Sequence, residues 1–382
     1  MSQTQTATTA STGQPGMFRR SDLVVFGASA VGILLSAVTR YAGLGAVTAF
    51  AVSAATVGVL AALVGRCVDQ LGDRFGPGAT GVLQSALGNL PELFIGIFAL
   101  RAGLTDVVRA AIIGSILGNA LLVLGLAFLV GGLRHGTQRF SSSLARNTCA
   151  LMVVAVAALV VPSLASYVHT PASQHEGTLS VVASVVLLGV FVLSLPGSLR
   201  NRSEGAATEG SAGNTVQPTE TGQTAVEPRH WTLSTAIGML ALASVAAAFV
   251  SDWFVTALTP AIEALHINEM FAGLVIVAIA GNAVENFVGI QLAARNQADY
   301  ALSVIVNSPL QIALVLAPAL VLLSHVIGGA VLTLVFAPML VLAVALTVLA
   351  LAVIILDGES VWLEGVALLG LYALIATSFW WG

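Results

Sequence analysis

The chain has no lysine, and only 8% of its 382 residues are charged, about a third of the share usual for a soluble domain. With 57% hydrophobic residues beside that scarcity, a water-soluble fold is disfavoured. Cysteine is almost missing: Cys67 and Cys149 have neither the framework nor the spacing of a disulfide or zinc site and read as apolar fillers. The fourteen arginines lie at the ends of apolar runs without forming a basic stripe, which leaves nucleic acid no footing as a partner.

What is present is apolar sequence in long runs. Eleven are long enough to cross a hydrocarbon layer of roughly 30 Å: about 22–39, 44–68, 79–101, 105–130, 145–168, 178–199, 233–258, 268–295, 299–325, 330–356 and 361–381. These predict an all-α polytopic membrane protein of about 11 transmembrane helices in a lipid bilayer. Residues 1–21 are polar and read as a disordered cytoplasmic N-terminus. The run at 22–39 follows Arg19-Arg20, lacks a clear small-residue cleavage site, and is read as a retained first helix rather than a secretory signal. An inside N-terminus puts eleven arginines in the cytoplasm and leaves Arg40, Arg101 and Arg109 outside, as the positive-inside rule requires.

Residues 200–230 interrupt the pattern with Gly, Ser, Thr, Pro and four glutamates and read as a cytoplasmic linker. On either side the chain repeats itself. At an offset of 193 residues, Gly88, Asn89, Glu92, Phe94, Gly96, Ile97, Asp106, Ile112 and Ser115 meet Gly281, Asn282, Glu285, Phe287, Gly289, Ile290, Asp299, Ile305 and Ser308. Glu92 lies on the third run and Glu285 on the eighth, so the two copies cross in opposite directions. Such an inverted repeat is common in secondary transporters, which hold substrate between the halves near the midplane.

Sixteen of the eighteen acids fall in loops, tails or near the ends of runs; Glu92 and Glu285 alone sit deep inside. A charge at the centre of a membrane helix costs about 2.5–3.5 kcal/mol on insertion scales, and there is no lysine or central arginine to neutralise either one. Asn89, Glu92 and Gly96 share a helix face, as do Asn282, Glu285 and Gly289, so each face offers a carboxylate, an amide and a gap. On the following runs Ser115 and Asn119, and Ser308 and Gln311, also share faces. All are hard oxygen donors with no His or Cys among them, a set that suits calcium better than zinc or copper. Pro91 and Pro309, together with the Gly-Asn pairs just before the glutamates, are expected to break helices around a site, the prolines freeing the carbonyls of Leu87 and Ile305 toward the ion.

The runs GNLPELFIGIFALRAGL, VVRAAIIGSILGNALLVLGLAFLVGGLRH, GNAVENFVGI and NSPLQIALVLAP resemble the paired α-repeats of calcium/proton antiporters in the cation/calcium exchanger superfamily. The resemblance implies one extra helix followed by two inverted five-helix repeats, here 44–199 and 231–382. It implies metal ligation by Glu92 and Glu285, with Asn89, Asn282, Ser115, Asn119, Ser308 and Gln311 lining the same site. It further implies calcium and protons as the exchanged ions, no cofactor and no enzymatic activity. The sequence departs from that family at Asn286, where a histidine is usual, and at Asn307-Ser308-Pro309 in place of Gly-Ser-Ser. Pro91 is a feature of the sodium/calcium branch, so a sodium-coupled exchanger is the nearest alternative, with an intramembrane acid–base enzyme a remote one. The compact chain points to a bacterial cytoplasmic membrane.

Overall fold

The computed structural model describes residues 18–75, 83, 87–211 and 231–381; within these ranges the side chains of residues 73, 75, 144, 195–211, 284 and 285 lie outside the description. Among the described residues twelve α-helical segments follow one another: α1 (Arg20–Tyr41), α2 (Ala46–Phe75), α3 (Leu90–Arg101), α4 (Thr105–His135), α5 (Ser142–Tyr167), α6 (Glu176–Ser211), α7 (Leu233–Leu265), α8 (Glu269–Gly281), α9 (Ala283–Ala294), α10 (Ala298–Ser324), α11 (Pro338–Ile355) and α12 (Trp362–Trp380). A two-residue ladder pairs β1 (Gln138–Arg139) antiparallel with β2 (Glu359–Ser360). Among the described residues nine helices are long and apolar enough to span a membrane, and α8 with α9, bent by 62° at their junction, makes a tenth. The remaining predicted run, 79–101, is represented by α3; most of its first part lies outside the described residues. The chain is a polytopic all-α membrane protein.

The duplication is visible in the backbone. Shifted by 193 residues, Leu90–Arg101 falls on Ala283–Ala294 at both ends, and the first residue of α4, Thr105, falls on the first of α10, Ala298. Each site helix starts after an asparagine in the same sparsely allowed conformation: Asn89 at φ −94°, ψ 21° and Asn282 at φ −93°, ψ 18°. Both α4 and α10 then loosen into π-helix at matching places, Gly118–Val123 and Ile312–Leu316.

These matches correct the expectation placed on the prolines. Pro91 lies in the first turn of α3, where its missing N–H has no intrahelical partner to lose. The second repeat breaks at Asn282 with Ala283 and Val284 following, so the Gly-Asn pair marks the break without a proline. Pro309 does sit inside α10, ahead of its π segment, but α4 loosens equally with Ile116 at the corresponding position.

Position in the bundle follows from burial. In α4, 83% of the apolar window is buried and in α10 67%, against half or less for the other single spans, so these two form the centre and the others face outward to lipid. α4 and α8 meet backbone to backbone: a Cβ on Gly114 would lie 2.1 Å from the Leu274 carbonyl oxygen, and one on Gly273 would lie 2.5 Å from that of Val107. Small residues allow such approach, which drives helix association where the hydrophobic effect is absent. On the flank α2 packs along α7, with Phe50 stacked on Phe254 at 4.9 Å, and α1 is tied to α2 by the Ser36 hydroxyl donating to Thr56 at 2.9 Å.

Two further differences from the sequence expectation have physical reasons. The run 330–356 is helical only from Pro338. Before it, Gly328 (φ 72°) and Gly329 (φ 105°) turn the chain into an extended strap. The strap lies so close on α3 that a Cβ on Gly329 would be 2.8 Å from Arg101 Cα. Its polar backbone is satisfied by side chains: Ser324 accepts from Leu332 N–H, Ser180 from Leu334 N–H, and Ser163 both accepts from Phe336 N–H and donates to the Leu334 carbonyl. Non-helical backbone is tolerated within a bundle on that condition. At the other end of the molecule, α6 continues through Ser211, covering the first part of the stretch expected as linker; residues 212–230 and 1–17 lie outside the described residues. Trp231 is buried where the second half begins. Its N–H donates to Gln70, its indole N–H to Asp22, and Asp22 pairs with Arg66 at 2.9 Å.

Candidate functional site

The two helix breaks and the π segments of α4 and α10 meet at the centre of the bundle and bring the repeated polar residues with them. Asn282, at the break before α9, donates from Nδ2 to Ser115 Oγ of α4 at 2.8 Å and to the Ala278 carbonyl at 2.9 Å. Its Oδ1 accepts from Asn119 Nδ2 at 2.9 Å and from the Ser308 hydroxyl at 3.3 Å. Asn119 Nδ2 also lies within hydrogen-bond reach of the Ser115 carbonyl (3.0 Å) and Ser308 Oγ (3.1 Å). Across the repeats Asn89 Nδ2 donates to Gln311 Oε1 at 3.3 Å. Thus all six neutral residues singled out from the sequence come together in two hydrogen-bonded groups, each joining the first repeat to the second. Such buried polar pairs lock one packing of the halves, because breaking them strands amides in apolar surroundings.

Glu92, in the first turn of α3, is 8% exposed. Its side chain lies against the break of the other repeat: a Cβ on Gly281 would sit 2.7 Å from Glu92 Cγ and 3.3 Å from Oε1. Only glycine leaves room there. The carboxylate and Ser115 stand at one end of a narrow cleft that runs between α3 and α4 to Ala99, Val107 and Val108, beside the α3–α4 connection. Among the described residues lining that cleft there is no arginine or histidine. The backbone of Glu285 lies in the first turn of α9, at the position that matches Glu92 in α3; its side chain lies outside the described residues.

The glycines expected to leave gaps beside the carboxylates serve packing instead. A Cβ on Gly96 would be 2.7 Å from a Leu320 methyl, and one on Gly289 would be 2.4 Å from Ile305 Cγ1. Sequence reasoning missed Gly281, Gly114 and Gly273. The repeated Gly-Asn pair marked the first, whereas nothing in the sequence separates the other two from the rest of the 38 glycines.

The family described as sodium/calcium exchanger protein matches residues 45–199 and 235–381. A protein of Synechocystis named Ca(2+)/H(+) antiporter is 35% identical over 357 residues, covering 90% of this chain and 94% of its own. The Ca(2+)/H(+) antiporter ChaA of Bacillus subtilis is 34% identical, covering 92% of this chain and 97% of its own. A crystal structure of the Ca2+/H+ antiporter YfkE superposes with a TM-score of 0.76 at 31% identity, over 94% of this chain and 100% of that one. With its duplicated Gly-Asn-x-x-Glu helices inside this fold, the chain belongs to the sodium/calcium exchanger protein family, in its calcium/proton antiporter branch.

Proposed function

We propose that the chain is a secondary active antiporter that exchanges calcium, or a similar divalent cation, for protons. Glu92 and Glu285 are the charged ligands. Asn89, Asn282, Ser115, Asn119, Ser308 and Gln311 supply neutral oxygens. The observation that carries this proposal is the burial of Glu92 against Gly281, at the helix break of the opposite repeat, beside a cleft lined by no cationic side chain among the described residues.

Coupling needs only the two carboxylates. In a low-dielectric site they are neutralised together by one divalent ion or by two protons, so the two cargoes compete for the same groups. The hydrogen bonds between Asn282, Asn119, Ser115 and Ser308 give the protonated site its own closure. A bound ion exchanges them for ion–oxygen contacts, and the five-helix halves, 44–199 and 231–382, rock to expose the site alternately. Calcium is the cargo, and no cofactor or covalent chemistry is required. The arginine bias supports an inside N-terminus, and the two bacterial relatives support a bacterial cytoplasmic membrane. Sodium coupling is disfavoured by amides at Asn89 and Asn282, where that branch usually carries hydroxyls, and by relatives named for proton exchange.

Purified protein in vesicles tests the coupling ion. Acid-loaded vesicles diluted into a neutral calcium buffer are expected to take up calcium, and sodium-loaded vesicles at matched pH are expected to take up none above protein-free vesicles. Uptake driven by sodium and indifferent to pH would replace the proton with sodium in this scheme.

A further inference from the structure

The repeat carries one more pair of matched residues that the ion site does not use. Asp106 and Asp299 are the second residues of α4 and α10, at opposite ends of the bundle, and each fastens a connection that belongs to the other half. At one end the Asp299 carboxylate accepts from the Ser141 N–H at 2.7 Å. The same α4–α5 connection holds the last carbonyls of α9: Gln138 Nε2 donates to that of Ala293 at 3.3 Å, and His135 Nε2 lies 3.0 Å from that of Ala294. At the other end Asp106 accepts from Arg109 Nη1 at 2.9 Å. Arg109 reaches on to the strap, Nε donating to the Thr333 carbonyl at 3.1 Å and Nη2 to its hydroxyl at 2.8 Å. The strap in turn holds α3, its Ala330 N–H donating to the Leu100 carbonyl at 3.0 Å. Shifted by 193 residues, Leu100 falls on Ala293, and Gly136 (φ 74°), which turns the chain after α4, falls on Gly329 (φ 105°), which turns it after α10. The two clasps are copies of one device, separated by roughly 40 Å along α4.

We propose that the clasps are alternating latches: the site opens toward one end of the bundle only when the Asp106–Arg109–Thr333 contact there parts, and toward the other only when the Asp299–Ser141 contact parts. This rests on the alternating access proposed above. Each clasp joins one half of the chain to the other, so halves fastened at both ends cannot rock. Release at one end leaves the second clasp as the pivot. The helices held, α3 and α9, carry Glu92 and Glu285 in their first turns, so a latch that parts frees the far end of a ligand-bearing helix. The contacts suit repeated opening. The Arg109–Asp106 pair is partly exposed and the Ser141–Asp299 hydrogen bond is exposed, and surface contacts of this kind add little net stability. Arg109 and Asp299 are thereby positioning residues that touch no ion. Each sets the population of one open state, and the apparent affinity at a face scales with the fraction of chains open to it.

Half-saturating calcium, measured at each face in right-side-out and in inverted membrane vesicles under matched proton gradients, decides the matter for the native chain, Arg109→Gln and Asp299→Ala. The quotient of the two values, the face at the α3–α4 connection over the face at the α9–α10 connection, reports the balance of open states whatever the total activity. R109Q is expected to lower this quotient by at least about twofold, and D299A to raise it by at least about twofold. If R109Q is not monodisperse on purification, Thr333→Val, which removes the strap hydroxyl and leaves Arg109 on Asp106, is expected to shift the quotient the same way as R109Q. A quotient within about twofold of native at either end, or moved the same way by changes at both ends, overturns the latches. The clasps are then fixed rivets, whose loss lowers thermal stability without a preferred direction. A native chain that moves no calcium under a proton or a sodium gradient overturns the transport function, and the latches with it.

Discussion

Glu92→Gln is expected to reduce calcium transport at least about a thousandfold while leaving the protein folded. The substitution keeps the shape that fits against Gly281 and removes one charge. A unit charge pair at 4 Å is worth about 4 kcal/mol at an effective dielectric of 20, and twice that for a divalent ion. Even after much of this is offset by the desolvation that a neutral amide avoids, several factors of ten remain, each corresponding to about 1.4 kcal/mol. Flux into vesicles measures the loss, and thermal stability in detergent measures the fold. A melting temperature at or above the native one is expected, because a buried carboxylic acid gives way to an amide of equal size. Glu285→Gln is expected to match it, as the repeat places both residues in the first turn of their helices. Native-rate calcium uptake by either variant would remove that residue from the site.

Gly114→Val is expected to act through the fold. Its Cβ would fall 2.1 Å from the Leu274 carbonyl oxygen, a backbone atom that cannot rotate away, so α4 and α8 must part. Overpacking of a tight core costs about 1–3 kcal/mol and occasionally more; a helix pair in backbone contact belongs at the upper end. Ser115 follows Gly114 directly and bonds Asn282, so the same separation stretches the 2.8 Å contact at the centre of the site. Lower thermal stability and loss of transport should therefore appear together. Gly65→Ala is the control: a Cβ there meets nothing within 4 Å, and alanine is the better helix former, so native or slightly raised stability is expected. Equal stability of Gly114→Val and the native chain would contradict the close crossing.

The composition and apolar runs made the membrane class legible, and the 193-residue repeat pointed to two inverted halves and to Glu92 and Glu285 as a pair. Ser115, Asn119, Ser308 and Gln311 stood out because oxygen-bearing side chains recur at helical spacing on the runs that follow each glutamate, and Asn89 and Asn282 because each shares a helix face with a glutamate. What stayed hidden depends on contacts between distant segments. Gly114 and Gly273 look like any other membrane glycine until α4 is laid on α8. The strap before Pro338 is as apolar as a helix, and side chains of other segments, among them Ser163, Ser180, Ser324 and Arg109, let it run extended. The breaks were expected from the prolines together with the Gly-Asn pairs; they fall on Asn89 and Asn282 alike, and the Gly-Asn pair is the feature that both repeats share there. The partners of Asn119 were equally unreadable, since they come from α4 itself, from α10 and from the junction of α8 with α9.

Calcium and protons are expected to occupy the same pair of carboxylates in turn. Protons released when calcium is added to the purified protein, in weakly buffered detergent at mildly acidic pH, test it most directly. Binding is expected to release up to about two protons per calcium, since a metal displaces protons from the ligands it takes over, and Glu92→Gln should suppress both the binding and the release. Calcium binding by the native chain with no proton release across the pH range of transport would contradict it.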